Sequence, residues 1–255
     1  MRTAVSFFAK LAYVTICVFG VISLFSVFSL LKMRGVIREI NLRDGHIWNK
    51  GKRLYVTNHP SWLDQFIILA LRLPFWSTNY LPYVAVAKDS IKRLPLLKFL
   101  KEIYFLTEIE RQGDKAALKE HVKRMKLLLE NGHSLMMAGA SGRDFKVDDE
   151  EKVFSPIKGK PLRQFTNLCG LLSVVPGVET YVLCIEGTDR FYVETAVNGK
   201  KEAKFSCWNF IVLFLILGVI KIRIIYSQKL TLKGMSSREA AGIIQNTALA
   251  LLDTR

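Results

Sequence analysis

Residues 11–31 carry no charge. The run, LAYVTICVFGVISLFSVFSLL, stops at Lys32. As a helix it would be about 30 Å long, close to the hydrocarbon thickness of a bilayer. Such a segment has to bury itself in lipid or in the protein's own core. Arg2 and Lys10 precede it, and Lys32, Arg34 and Arg38 follow. The apolar stretch is too long for a cleaved signal and no Ala-x-Ala site follows it. The expectation is therefore an uncleaved N-terminal membrane-anchor helix over residues 1–38, with one domain over residues 39–255. The more basic flank is the C-terminal one, which places that domain on the cytoplasmic side of the membrane.

Composition narrows the rest. With 23% charged and 50% hydrophobic residues and a mean hydropathy of +0.21, the chain is too apolar to be disordered and too polar to cross a membrane repeatedly. Four cysteines, Cys17, Cys169, Cys184 and Cys207, lie far apart without CxxC pairing, so neither a zinc ribbon nor a disulfide scaffold is expected. The net charge of +15 suits an anionic partner, either an anionic bilayer or nucleic acid. No helix-turn-helix, zinc-finger or RNA-recognition signature is present, so nucleic acid is not expected as a partner.

Between residues 53 and 190 short apolar runs alternate with helical patterns. Strands are expected at 54–57, 83–87, 103–106, 134–137, 172–175 and 181–185. Helices are expected from Pro60, over 115–130, and from Ser236-Ser237 to Leu252; the polar stretch 141–160 reads as a loop. This rhythm implies an α/β fold with a mixed, largely parallel sheet flanked by helices. A second apolar run at 208–220 is too short to span a bilayer. It reads equally as a core helix or hairpin and as a surface dipping into the membrane interface, and it leads into a strand at 220–226.

The chemistry concentrates in Val56-Thr-Asn-His-Pro-Ser-Trp-Leu-Asp64. His59 sits at a strand-to-helix corner, and Asp64 lies in the opening turns of the helix. The His-x4-Asp spacing lets a carboxylate hold one imidazole nitrogen while the other acts as a base. A protein nucleophile is missing: Gly139-Ala-Ser-Gly-Arg143 approaches the Gly-x-Ser-x-Gly elbow but has Arg at the fifth position. The attacking hydroxyl then belongs to the substrate. The remaining histidines, His46, His121 and His133, have no partner at metal-ligand spacing, so no metal is expected.

The order of the motifs resembles that of the lysophospholipid acyltransferases, whose best-known members are the 1-acyl-glycerol-3-phosphate acyltransferases. Asn58, His59 and Asp64 match the family's Asn-His-x4-Asp motif. Val86-Ala-Lys88 and Pro95-Leu-Leu97 match the strand and turn that follow. Phe105 to Arg111 is similar to the second motif, and Leu127 to Leu135 to the helix and strand before the third. The third motif departs from the pattern: with Gly139 on the motif glycine, Ala138 stands where the family has a glutamate. Val174-Val-Pro176 resembles the fourth motif.

The resemblance implies a glycerolipid-acyltransferase-like fold and transfer of a fatty acyl group from an acyl thioester to a lysophospholipid. The leading acceptor is 1-acyl-glycerol-3-phosphate and the leading product phosphatidic acid. His59 and Asp64 would be catalytic. Arg111, Gly139, Ser141 and Arg143 would bind the acceptor or its phosphate, with Gly139 letting backbone N–H groups approach it; Asn58 and Lys88 are further candidates. No cofactor is implied, since acyl-coenzyme A or an acyl-carrier protein enters as co-substrate. The expected partners are these substrates, membrane lipids and an acyl-carrier protein. Two alternatives stay open: a non-catalytic lipid-binding relative, and an acyltransferase for a different lysolipid or an amine-containing acceptor.

Overall fold

The computed structural model describes residues 23, 26–40, 48, 51–59, 61, 63–71, 82–87, 106–109, 115–140, 152–197 and 200–254. Its centre is a seven-stranded sheet. The strands are β1 (Ile37–Ile40), β2 (Arg53–Thr57), β3 (Tyr83–Ala87), β4 (Leu106–Ile109), β5 (Leu135–Ala138), β8 (Glu179–Glu186) and β11 (Ile222–Tyr226), in the order β1-β11-β8-β2-β5-β3-β4. Strands β8, β2, β5, β3 and β4 run parallel to one another, β11 runs against β8, and β1 runs with β11. The sheet is mixed and largely parallel, flanked by helices: an α/β fold.

Side chains alternate across the sheet, and both faces are covered. Leu54, Val56, Leu135, Met137, Val182 and Cys184 pack on one face against α3 (Lys115–Glu130), α4 (Asn167–Ser173) and α5 (Ser237–Leu252). Tyr55, Met136, Tyr181, Leu183 and Ile185 pack on the other against α1 (residues 26–33) and α2 (Asp64–Ala70). Burial on both faces is why the central strands read as near-continuous apolar runs rather than as a polar–apolar alternation. α5 starts where the sequence places it. The Ser236 hydroxyl accepts from the Glu239 N–H, and the Glu239 carboxylate accepts from the Ser236 N–H, forming a reciprocal capping box.

Several expectations are corrected. Residues 172–175 are not a strand; Leu172 and Ser173 finish α4, whose buried Cys169, Leu172 and Ser173 share one helical face, and Val174 and Val175 lead out of it. Core packing outweighs the strand propensity of Val174 and Val175. The stretch 141–160 is not wholly a loop, because β6 (Lys152–Phe154) pairs antiparallel with β7 (Pro161–Arg163). The strand expected at 103–106 meets β4 at Leu106, and 103–105 lie outside the described residues. A second hairpin, β9 (Tyr192–Val197) with β10 (Lys200–Phe205), was not foreseen.

Most of the apolar run 11–31 lies outside the described residues. Its end forms α1, whose Phe28 and Leu31 are buried in the same cluster as the sheet residues. β1 starts at Ile37 and so straddles the boundary drawn at residue 38. Among the described residues no helix is long and apolar enough to cross a membrane. The second apolar run is a helix, but a π-helix, Asn209–Ile216, that packs Phe214 into the core.

Candidate active site

β2 delivers the site. Its last residue, Thr57, is followed by Asn58 and His59, and Asp64 opens α2. Asn58 is buried, and its side chain clamps the backbone of the neighbouring strand: Nδ2 donates to the Ile185 carbonyl at 2.9 Å and Oδ1 accepts from the Ile185 N–H at 2.7 Å. This two-point bond fixes the end of β2 against β8, and with it the backbone that carries His59. A carboxamide is the side chain that can donate and accept at one peptide in this way.

His59 Nδ1 lies 3.5 Å from Asp64 Oδ2; the imidazole is partly exposed and the carboxylate fully buried. Asp64 is held by two further donors. The Ser61 N–H reaches Oδ2 at 2.6 Å, and the Thr188 hydroxyl donates to Oδ1 at 2.6 Å. Burial raises the Asp64 carboxyl above its ordinary range, and the neighbouring His59 ring with the hydrogen bonds from Thr188 and Ser61 acts in the opposite direction. The His-x4-Asp spacing thus brings its two residues together, with the carboxylate on the solvent-excluded side of the ring.

Thr188 escaped the sequence reading. It follows β8 through Gly187, which adopts a φ of +91°; a Cβ there would come within 2.1 Å of the Lys221 carbonyl. Both the backbone angle and the lack of space demand glycine, and the turn they permit aims Thr188 at Asp64. A glycine directly after a buried strand is the signal available in the sequence. Tyr192, four residues on, places its hydroxyl 3.5 Å from the Ser61 hydroxyl.

Gly139 lies next to this corner, just after β5, where its own backbone is engaged within the fold. Its own N–H donates to the Thr57 carbonyl at 2.8 Å, and its carbonyl accepts from the Thr166 N–H. A Cβ at this position would lie 2.6 Å from the ring of Phe165. The glycine makes room for an aromatic ring, and its N–H is already engaged. Ala138 pairs with Thr57 across the β2–β5 ladder, so the absent motif glutamate would have stood on the strand beside His59. Lys88, Arg111, Ser141 and Arg143 lie outside the described residues. The strands they follow in sequence, β3, β4 and β5, end on the same edge of the sheet as β2, where α/β folds bind their ligands.

A cavity of about 450 Å³ opens on this edge beside Asn58. Lys160, Arg190, Lys221 and Arg223 line it against Glu186 and Asp189. Glu186 is engaged by Lys160 and, at 3.3 Å, by Arg223. Among the described residues no group of three or more His, Cys, Asp or Glu side chains could hold a metal ion.

Residues 38–159 match the Acyltransferase family model. The match supports an acyltransferase family and, with it, acyl transfer in general. It covers the His59–Asp64 corner, Gly139 and the sequence positions of Lys88, Arg111, Ser141 and Arg143. It stops before β8, Thr188 and the π-helix, so part of the dyad's setting comes from outside the matched stretch. No curated protein matches the chain.

Proposed function

We propose that the chain moves a fatty acyl group from a thioester donor, acyl-coenzyme A or an acyl-carrier protein, to the hydroxyl of a lysophospholipid. The leading acceptor is 1-acyl-glycerol-3-phosphate, giving phosphatidic acid. The observation that carries this reading is the buried Asp64 facing His59 Nδ1 inside a stretch that matches an acyltransferase model. His59 Nε2 takes the proton of the acceptor hydroxyl as its oxygen attacks the thioester carbonyl. The tetrahedral intermediate collapses with loss of the thiolate, which recovers the proton from the imidazolium. The products are an oxygen ester and a free thiol, and no acyl-enzyme forms. Asp64 sets the tautomer and stabilises the imidazolium. The excess of cationic side chains in the cavity beside Asn58 suits a phosphate-bearing substrate. The part of the apolar run upstream of α1 would anchor the enzyme to the membrane that holds the acceptor, with the domain on the cytoplasmic side.

Ala138 favours a second reading, a relative that binds lysolipid without turning it over. The deciding assay offers labelled acyl-coenzyme A and acyl-carrier protein, with a panel of lysolipids and an amine-containing acceptor, to the detergent-purified full chain and to His59→Ala. Transfer by the wild type that disappears in H59A is the expected result. Saturable lysolipid binding with no transfer to any acceptor would select the second reading.

A further inference from the structure

The surface beyond the dyad carries an apolar face that the fold does not cover. The π-helix Asn209–Ile216 buries Phe214 and exposes Ile211 and Ile216, and Trp208 before it and Leu217 and Val219 after it are exposed as well; Trp208 is 65% exposed and Val219 61%. Beside it lies α1, whose Phe28 meets Phe214 at 6.1 Å between ring centroids, and whose Val27, Leu30 and Met33 also face outward, Met33 at 79%. These eight large apolar side chains, on two touching helices and the ends of the second, give an exposed apolar surface of a kind that soluble proteins avoid. The local backbone is committed to this display. Gly218 takes a φ of +62° and sits where a Cβ would lie 2.7 Å from Val36, which folds the chain back and leaves Leu217 and Val219 at the surface.

We propose that this face docks on a lipid bilayer, with the π-helix lying in the interface. Three observations select that occupant. The uncharged run 11–31 leads directly into α1, so the chain's most apolar segment arrives at the patch. The rim is basic: Arg34 Nη1 approaches the Ile216 carbonyl at 3.5 Å, and Lys204 and Lys221 flank the segment in sequence as exposed residues. Such a rim meets anionic headgroups favourably. Trp208 stands at one end of the helix, and indole prefers the headgroup level. Docking through residues 208–219 is a contact beyond the anchor expected upstream of α1, and is separate from acyl transfer.

The test uses the full chain in vesicles of phosphatidylcholine and phosphatidylglycerol. Cys17→Ser and Cys207→Ser remove the thiol outside the described residues and the exposed one. Cys169 and Cys184 stay buried, and burial pushes the Cys169 thiol up to about 12. An environment-sensitive fluorophore is then placed at Ile216→Cys or, as control, at Ile157→Cys, an exposed apolar position in the β6–β7 turn. The label at 216 is expected to shift to the blue and to lose about half its fluorescence to nitroxides at shallow acyl positions, the depth of an interfacial helix. The label at 157 is expected to do neither. Vesicle-bound protein whose label at 216 behaves like that at 157 overturns the docking face and leaves anchoring upstream of α1 standing. Energy transfer between copies without lipid quenching identifies a second copy as the occupant and overturns the proposal. A chain that does not sediment with vesicles overturns both the docking face and the anchor.

Discussion

Thr188 is the sharpest point at which to test the geometry. Replacing it with valine keeps the volume and shape nearly constant and removes one hydroxyl, which donates at 2.6 Å to a carboxylate with no exposed surface. Hydrogen bonds to charged groups contribute about 1.5–3 kcal/mol. Losing that donor pushes a carboxyl already held high by burial higher still. A protonated Asp64 no longer supports the imidazolium, so the acid limb of the pH–rate profile is expected to move to higher pH. A weakened imidazolium partner lowers kcat by about 10- to 100-fold. KM for the lipid stays near wild type, because Thr188 is buried behind Asp64. Thermal unfolding at neutral pH reports the structural share, an expected loss of about 2 kcal/mol. Thr188→Ser restores the donor and is expected to recover the pH profile. A T188V enzyme with wild-type kcat and an unmoved acid limb would refute the claim that Thr188 sets the carboxylate.

Asp64→Asn should abolish transfer and change how stability depends on pH. Because burial raises the folded-state pKa, the folded chain keeps a proton that the unfolded chain releases. The carboxyl's contribution is therefore present below the unfolded value of about 3.9 and falls as pH rises toward the folded value. The unfolding free energy of D64N minus that of wild type should grow over that window and then level off; a difference independent of pH sinks the argument. Gly139→Ala should cost about 1–3 kcal/mol in denaturant unfolding, from overpacking against Phe165. The double variant with Phe165→Leu should recover part of that loss, and full stability in the single variant would show that the ring yields freely.

The fold was legible wherever a local pattern and the packing agreed. Lys115–Glu130 and Ser237–Leu252 emerged because their helical periodicity coincides with the faces they bury, and because Ser236 and Glu239 write a capping box. The β9–β10 hairpin was hidden by its composition, since Lys200-Lys-Glu-Ala-Lys204 has no apolar alternation to reveal a strand. The π-helix was ambiguous for the opposite reason: it is apolar on every side, so periodicity carries no direction. In the site, His59 and Asp64 were readable because only four residues separate them. Thr188 lies 124 residues from the carboxylate it holds, and only the pairing of β2 with β8 brings the two together. Gly139 was recognised as a motif position, but the aromatic ring that requires it comes from Phe165, outside the motif.

One short turn connects the chemistry to the uncovered apolar face. Thr188 opens the 3₁₀ turn Thr188–Phe191 and holds Asp64. Phe191 closes the same turn and is buried against Phe210 and Phe214 of the apolar segment, at 5.2 and 5.1 Å between ring centroids. The next residue, Tyr192, reaches back to Ser61. The inner side of this turn thus orients the carboxylate, while its outer side seats the helix proposed to lie in lipid. If that helix sits in the bilayer, the turn ties the depth of membrane docking to the position of Thr188, and hence to the dyad. Charges that push the π-helix away from the surface, as in Ile216→Asp with Leu217→Asp, should then slow transfer to a bilayer-borne acceptor far more than to the same acceptor offered as a soluble short-chain analogue. Equal losses on the two acceptors would instead mean that the variant damages the turn itself, and that docking and chemistry are linked only through folding.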